Sequence, residues 1–246
     1  APSGKNKFDA VQHEGAERIA RLAAAAGIDK MVQISAIGAD ANSSSDYART
    51  KALGEEGVLQ HMSNAIILRP SIVFGNEDEF FNRFAAMSRM GPILPVVGAG
   101  TKFQPVYVDD VAIAAEMAVT GKAPAGIYEL GGPQVASFRE LMTLMLGVIR
   151  RRKLVLNIPF CAANLMGLGF DMLQTLSLGL IPNKMITRDQ VKNLRNDNVV
   201  AIDPKGFADL GIEPTAMEAI LPDYLWRFRS SGQYDAIKES AQNLKP

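Results

Sequence analysis

One cysteine, two histidines and one tryptophan in 246 residues leave little material for an extracellular scaffold or a metal centre. The single thiol, Cys161, cannot close an internal disulfide or build a cysteine metal cluster, which fits a reducing compartment. His13 and His61 are far apart and form no ligand set, so no metal is expected. The 26 Lys and Arg residues are balanced by 26 Asp and Glu, and zero net charge lacks the footprint of a general nucleic-acid binder. A glycine-rich phosphate loop is also missing. Val96-Val-Gly-Ala-Gly-Thr-Lys-Phe103 carries Gly98 and Gly100 without a third glycine at the required spacing and without a following helix. The start, Ala1-Pro-Ser-Gly-Lys-Asn-Lys7, has no apolar core and is no signal peptide. It also lacks an initiating methionine, so the chain reads as a fragment, a processed product or the ordered part of something longer.

What is present is a globular composition, 48% apolar, in a chain long enough to bury a real core as one large domain or two small ones. Its organising stretch runs from Gln33 to Lys51. Met31 to Ser35 reads as a buried strand, followed by a polar loop and a helix entered at Asp46, a good N-cap residue. Tyr47 and Lys51 are four apart and share a helix face. Ser35 lies at the carboxyl end of its strand, where open α/β sheets bind ligands. A tyrosine hydroxyl titrates near pH 10, too high for a base at neutral pH. A lysine ammonium one turn away favours the phenolate and is expected to lower that value. The serine hydroxyl can hold a carbonyl or alcohol oxygen beside the phenol. Together Ser35, Tyr47 and Lys51 could pass a proton while a hydride moves to or from a nicotinamide.

The rest of the chain supports a parallel α/β reading. Apolar residues recur at helical spacing from Phe8 to Ala26, and Gly27 ends that helix. Tyr47 to Gln60 is the next helix and Ala65 to Leu68 a strand buried on both faces, implying a parallel crossover. Pro70 breaks the ladder just past the strand end. In the loop Arg69-Pro-Ser-Ile-Val-Phe-Gly75, beside the Ser35 strand, Pro70, Ser71, Ile72 and Val73 are placed to border a cofactor. Free backbone groups at Ile72 and Val73 could meet a flat carboxamide. Phe80 to Met90 is a helix. Asp109 or Asp110 caps another, ending at Thr120. Gly126 to Leu130 is a strand, Ser137-Phe-Arg-Glu140 a capping box opening a helix to Ile149, and Leu154 to Ile158 a further strand. Arg150 to Lys153 is a basic run at a helix end. Pro159 to Pro182 is unusually apolar, but Asp171, its glycines and its flanking prolines argue against a membrane span. One or two packed helices with an apolar face are expected there. Thr187 opens a helix to about Leu194, and Thr215 caps Ala216 to Trp226. Residues 1–102 are read as the C-terminal portion of a nucleotide-binding domain. Residues 103–234 complete the sheet and form a small mixed subdomain, and 235–246 are a tail.

Ser35, Tyr47-Ala-Arg-Thr-Lys51, Leu68-Arg-Pro-Ser-Ile-Val-Phe-Gly75 and Gln104-Pro-Val-Tyr-Val-Asp-Asp-Val111 resemble the extended or atypical branch of the short-chain dehydrogenase/reductase superfamily. Several stretches narrow this further. Lys7-Phe-Asp-Ala-Val-Gln12, Ser35-Ala-Ile-Gly-Ala-Asp-Ala-Asn-Ser43, Phe80-Phe-Asn-Arg-Phe84, Ile186-Thr-Arg-Asp-Gln-Val191 and Leu210-Gly-Ile-Glu-Pro-Thr215 are similar to the 39 kDa NADPH-binding accessory subunits of respiratory complex I, in their alphaproteobacterial form. The resemblance implies a Rossmann-like parallel sheet with helices on both faces and a bound nucleotide, NADPH or alternatively NADH. It implies that the nucleotide is structural and that Ser35, Tyr47 and Lys51 are a family-type triplet, active or vestigial. It further implies docking on the peripheral arm near the membrane, at the cytoplasmic face of a bacterial inner membrane or on the matrix side in mitochondria. Residues 160–181 suit membrane-surface contact. The family's first βα units, with their glycine-rich turn, have no counterpart here, so a longer natural N-terminus is expected. The competing reading is a free-standing NAD(P)H-dependent reductase, dehydrogenase or epimerase with Tyr47 as acid/base, and a third is a membrane-surface module resting on 160–181 alone.

Overall fold

The computed structural model describes residues 8–166, 168, 187–230 and 232. A π-helical turn, Asp9–His13, runs into α1 (Glu14–Ala25). Then follow β1 (Val32–Ile34), α2 (Asp46–His61), β2 (Ile66–Pro70), β3 (Val73–Phe74), α3 (Phe81–Met87) and β4 (Ile93–Val97). The middle of the chain holds β5 (Lys102–Phe103), β6 (Val106–Tyr107), α4 (Val108–Val119), β7 (Gly126–Leu130), β8 (Ala136–Ser137) and α5 (Phe138–Val148). After β9 (Leu154–Ile158) the chain is helical over 160–166, and α6 (Arg188–Asn193) and α7 (Met217–Leu225) complete the described α-helices, with short 3-10 turns at Ala208–Leu210 and Trp226–Phe228. Most of the apolar stretch 160–181, and the tail 235–246, lie outside the described residues.

The main sheet has the order β1-β2-β7 and is parallel throughout. Its central strand explains the two-sided cover. Strand residues alternate faces. Ile66 and Leu68 pack against Val111, Ala114 and Ala118 of α4. Ile67 points the other way, into Ala16 and Ala20 of α1 and Val58 of α2. The result is an α/β fold with helices on both faces of a Rossmann-like sheet. Gly54 permits the closest helix approach. A Cβ there would stand 2.1 Å from the Gln12 carbonyl oxygen, so only glycine lets the π-helical turn lie on α2.

Pro70 departs from expectation. It stays in the ladder, opposite Leu130. Its carbonyl accepts from the Ile37 amide at 3.0 Å, so the strand uses the one backbone hydrogen-bonding group that proline keeps. The helix starts also differ. Ser45, not Asp46, is the N-cap of α2. Tyr107 precedes α4, and Asp110 is buried inside it, its carboxylate accepting from the Thr215 amide at 2.7 Å and the Thr215 hydroxyl at 3.0 Å. Thr215 is therefore drawn to Asp110, and Ala216 takes the cap position of α7. The box at Ser137–Glu140 forms as expected, and Thr187 opens its helix through a second box with Gln190.

The second core lies among α3, α5, α7 and the paired strands β4 and β9, with Phe81, Leu141, Met145 and Leu221 fully buried. Tyr224 sits in this core and its phenol donates to Asp78 at 2.5 Å. Burial, then the Asp78 carboxylate, pushes that phenol far above its ordinary value. A group raised on folding stabilises fully below its unfolded pKa, near 10, and loses that contribution as pH climbs further. Melting temperature is thus expected to be flat in this respect to about pH 10 and to fall above it. Tyr224→Phe should lose roughly 1–2 kcal/mol at pH 8 and show a shallower alkaline decline. An identical alkaline slope in both proteins would exclude Tyr224 as the cause.

Candidate functional site

The site is built at the carboxyl ends of β1 and β2. The chain remains paired past β1, with the Ser35 amide donating to the Leu68 carbonyl at 2.7 Å. This fixes Ser35 beside the loop 69–75, as its spacing suggested. Ser35 is 3% exposed, and its Oγ is the one buried side-chain polar atom among the described residues without a hydrogen-bond partner. Such an orphan hydroxyl costs roughly 1–3 kcal/mol, so it marks a place where an oxygen or nitrogen of a ligand would be welcome.

Tyr47 and Lys51 lie on the first turns of α2. Lys51 Nζ stands 5.9 Å from the centre of the Tyr47 ring and donates to the Ile34 carbonyl at 3.1 Å. Phe8 meets the Tyr47 ring edge-on at 5.8 Å between centres. Burial pushes the Tyr47 phenol above its ordinary value, opposite to the direction the spacing predicts. The lysine does not offset this. Its own pKa is lowered by burial, with Glu55 opposing, and its ammonium is tied to a backbone carbonyl. A phenol held protonated can donate to an oxygen but is a poor base at neutral pH.

The remaining expected residues fall into two groups. Pro70 and Ser71 are buried, and the Ser71 hydroxyl donates to the Asn198 side-chain oxygen at 2.6 Å. It is engaged within the protein. Ile72 and Val73 follow at the half-buried rim. The Ile72 carbonyl, expected to be free, instead accepts from the Val106 amide at 2.9 Å because Val73 pairs with Val106 in β3.

Two residues that pattern reading passed over hold this end of the sheet together. Asn198, in an apparently plain polar loop, bonds to Ser71 and also donates from its side chain to the Ile37 carbonyl at 3.3 Å. Asp189 belongs to the Thr187 capping box in sequence, yet its carboxylate caps a different helix. It accepts from the Ser45 hydroxyl at 3.0 Å and from the Asp46 and Tyr47 amides at 2.7 and 3.2 Å. A carboxylate at a helix N-terminus is favoured by the helix dipole. Lys192 adds a bond to the Ser44 carbonyl at 2.7 Å. The only local hint was an acidic residue in a short helix, because its partners lie more than a hundred residues earlier. Among the described residues, no three His, Cys, Asp or Glu side chains converge as metal ligands. No described helix is long and apolar enough to cross a membrane.

The chain is similar to proteins of known assignment. It is 34% identical over 230 residues to the mitochondrial NADH dehydrogenase [ubiquinone] 1 alpha subcomplex subunit 9 of Arabidopsis thaliana, covering 92% of this chain and 57% of that one. It is 30% identical over 239 residues to the 40 kDa subunit of NADH-ubiquinone oxidoreductase of Neurospora crassa, covering 95% and 60%. The chain thus spans less than two thirds of the length of these relatives. Its fold matches that of a Bacillus anthracis dTDP-4-dehydrorhamnose reductase solved in complex with NADP, with a TM-score of 0.59 and 16% identity over 89% of this chain and 72% of that one. The RmlD substrate binding domain matches residues 1–155, well over half the chain, and the parallel β1-β2-β7 sheet with its terminal Ser35 and adjoining Tyr47 helix is the corresponding structure. The chain belongs to the RmlD substrate binding domain family.

Proposed function

We propose that this protein is an accessory subunit of respiratory complex I that holds a nicotinamide nucleotide for structural purposes and serves assembly or stability. The relatives from Arabidopsis thaliana and Neurospora crassa bear complex I names, and the reductase of like fold was solved with NADP. The observation that carries the nucleotide is the buried, unpartnered Ser35 hydroxyl at the carboxyl end of β1. The residues suit a nicotinamide ribose there: Ser35 and Tyr47 would supply hydroxyls and Lys51 a cation, and the half-buried rim at Ile72 and Val73 would border the carboxamide. When bound, the nucleotide would supply hydride chemistry. The protonated, buried Tyr47 and the tethered Lys51 favour holding it over turning it over. NADPH is the nucleotide proposed, and the docking site is the peripheral arm near the membrane, on the cytoplasmic face in bacteria or the matrix side in mitochondria. Residues 160–181 are proposed to meet the membrane surface.

The second reading, a free-standing NAD(P)H-dependent reductase, dehydrogenase or epimerase, is favoured by the same Ser-Tyr-Lys set. Native mass spectrometry from source membranes separates the two. Release with other respiratory subunits and one retained NADPH per chain is the expected result. A homodimer with turnover would sink the structural reading. Tyr47→Phe is expected to leave complex I assembly and electron transfer within about twofold of wild type. A loss of activity on the scale of a removed general acid, roughly 100-fold or more, would favour the enzyme.

A further inference from the structure

Beside the nucleotide-binding end of the sheet lies a cavity of about 310 Å³, at the low end of the ~300–1,000 Å³ range of small-molecule sites. Ile72 borders it and so joins it to the candidate nicotinamide site. Its walls are apolar. Phe80, Phe84 and Met87 come from the start and body of α3, Phe103 from β5, Phe138 from α5 and Leu194 from the end of α6. Phe80 and Phe138 stack at 5.4 Å between ring centres, so this wall is already packed. The polar lining is sparse. Arg83 is the single charged residue among the described lining residues, accompanied by the amides of Gln190 and Asn193.

This lining does not suit a nucleotide sugar. A buried diphosphate needs several cations or backbone donors to replace its lost hydration, and one arginine among aromatic and aliphatic walls does not supply them. We infer that the cavity binds a single aliphatic chain, such as an acyl or alkyl tail, with its polar head toward Arg83, Gln190 and Asn193. The volume admits roughly ten methylenes, taking each as close to the ~30 Å³ of a liquid water. The inference does not depend on whether the nucleotide is retained or reacts.

The test is calorimetric titration of the full chain with sodium alkanoates from hexanoate to tetradecanoate, each below its micelle concentration. Affinity should rise about fourfold per methylene and level off near ten carbons. Two substitutions fill the cavity independently, Met87→Trp and Ala163→Phe. Each, once circular dichroism shows it folded, should weaken decanoate binding at least tenfold. Met87 is half-buried, so its variant keeps the test intact if the fully buried Ala163 does not tolerate phenylalanine. UDP-glucose should neither bind nor compete. Affinity independent of chain length would overturn the inference. So would a length dependence untouched by the filling substitutions, which would place binding on the exposed surface, or displacement of decanoate by UDP-glucose. NADPH content is measured in parallel, so loss of nucleotide and loss of alkyl binding are read separately.

Discussion

Arg69→Met is expected to destabilise the protein by about 3–5 kcal/mol, because it strips the partner from a buried carboxylate. Arg69 leaves β2 toward α2, where its Nε donates to Glu55 Oε1 at 2.9 Å and its Nη2 to Glu55 Oε2 at 2.6 Å. The Glu55 side chain is only 4% exposed. Glu129 of β7 approaches the same guanidinium at 3.6 Å and is 12% exposed. The hydrogen bond to Glu55 leads the causes that raise the arginine's pKa. With arginine gone, the nearly buried Glu55 carboxylate loses its partner, while Glu129 keeps the Ala201 amide at 2.8 Å. For a domain whose total stability is about 5–15 kcal/mol, the loss takes roughly a fifth or more. The midpoint of urea unfolding reads it directly. The double variant Arg69→Met/Glu55→Leu should recover most of the loss, since an apolar pair of like volume replaces an ion pair at little net cost. A single variant within 1 kcal/mol of wild type would mean that water reaches Glu55 and the pair is a surface one.

Asp189→Ala should produce the second large effect, and its reach is functional. Three donors at the start of α2, the Ser45 hydroxyl and the amides of Asp46 and Tyr47, lose their shared acceptor. Loss of a charged capping acceptor is worth about 2–4 kcal/mol in total. The first turn that frays is the one carrying Tyr47. NADPH content of the purified protein should therefore fall several-fold although every proposed nucleotide contact is intact. Asp189→Asn keeps one acceptor oxygen in place and should recover part of both stability and nucleotide. Wild-type NADPH content in Asp189→Ala would show that the turn holds without its cap.

These two residues also show what could be read from the chain alone. The α/β class was legible because it is written locally. Ile66, Ile67 and Leu68 form a run that only a two-sided burial explains. The boxes at Ser137 and Thr187 announce their own helices. Neighbouring good caps are harder to rank, and Ser45 displaced Asp46 by one residue. Distant pairing was not legible. Asp110 looked like a cap because Thr215 is 105 residues away. Asp189 and Asn198 looked incidental for the same reason. Spacing placed Ser35, Tyr47 and Lys51 around one sheet end. It could not show that burial would outweigh the lysine's charge at the Tyr47 phenol, because desolvation depends on the whole surround.

The clasp formed by Asn198 and Asp189 sets an order of events during synthesis. The sheet strands β1 and β2 and the helix between them lie within about forty residues of one another, and their contacts can form early. The bonds that finish the site span 127 residues at Ser71, 144 at Ser45 and 161 at Ile37. The bond at Ser45 cannot close until residue 189 has left the ribosome, and those at Ser71 and Ile37 wait for residue 198. A nascent chain therefore passes through a stage with a nearly finished sheet and an open ligand end. The proposed nucleotide capture would then follow this last closure, and with it any assembly step that waits for the loaded protein.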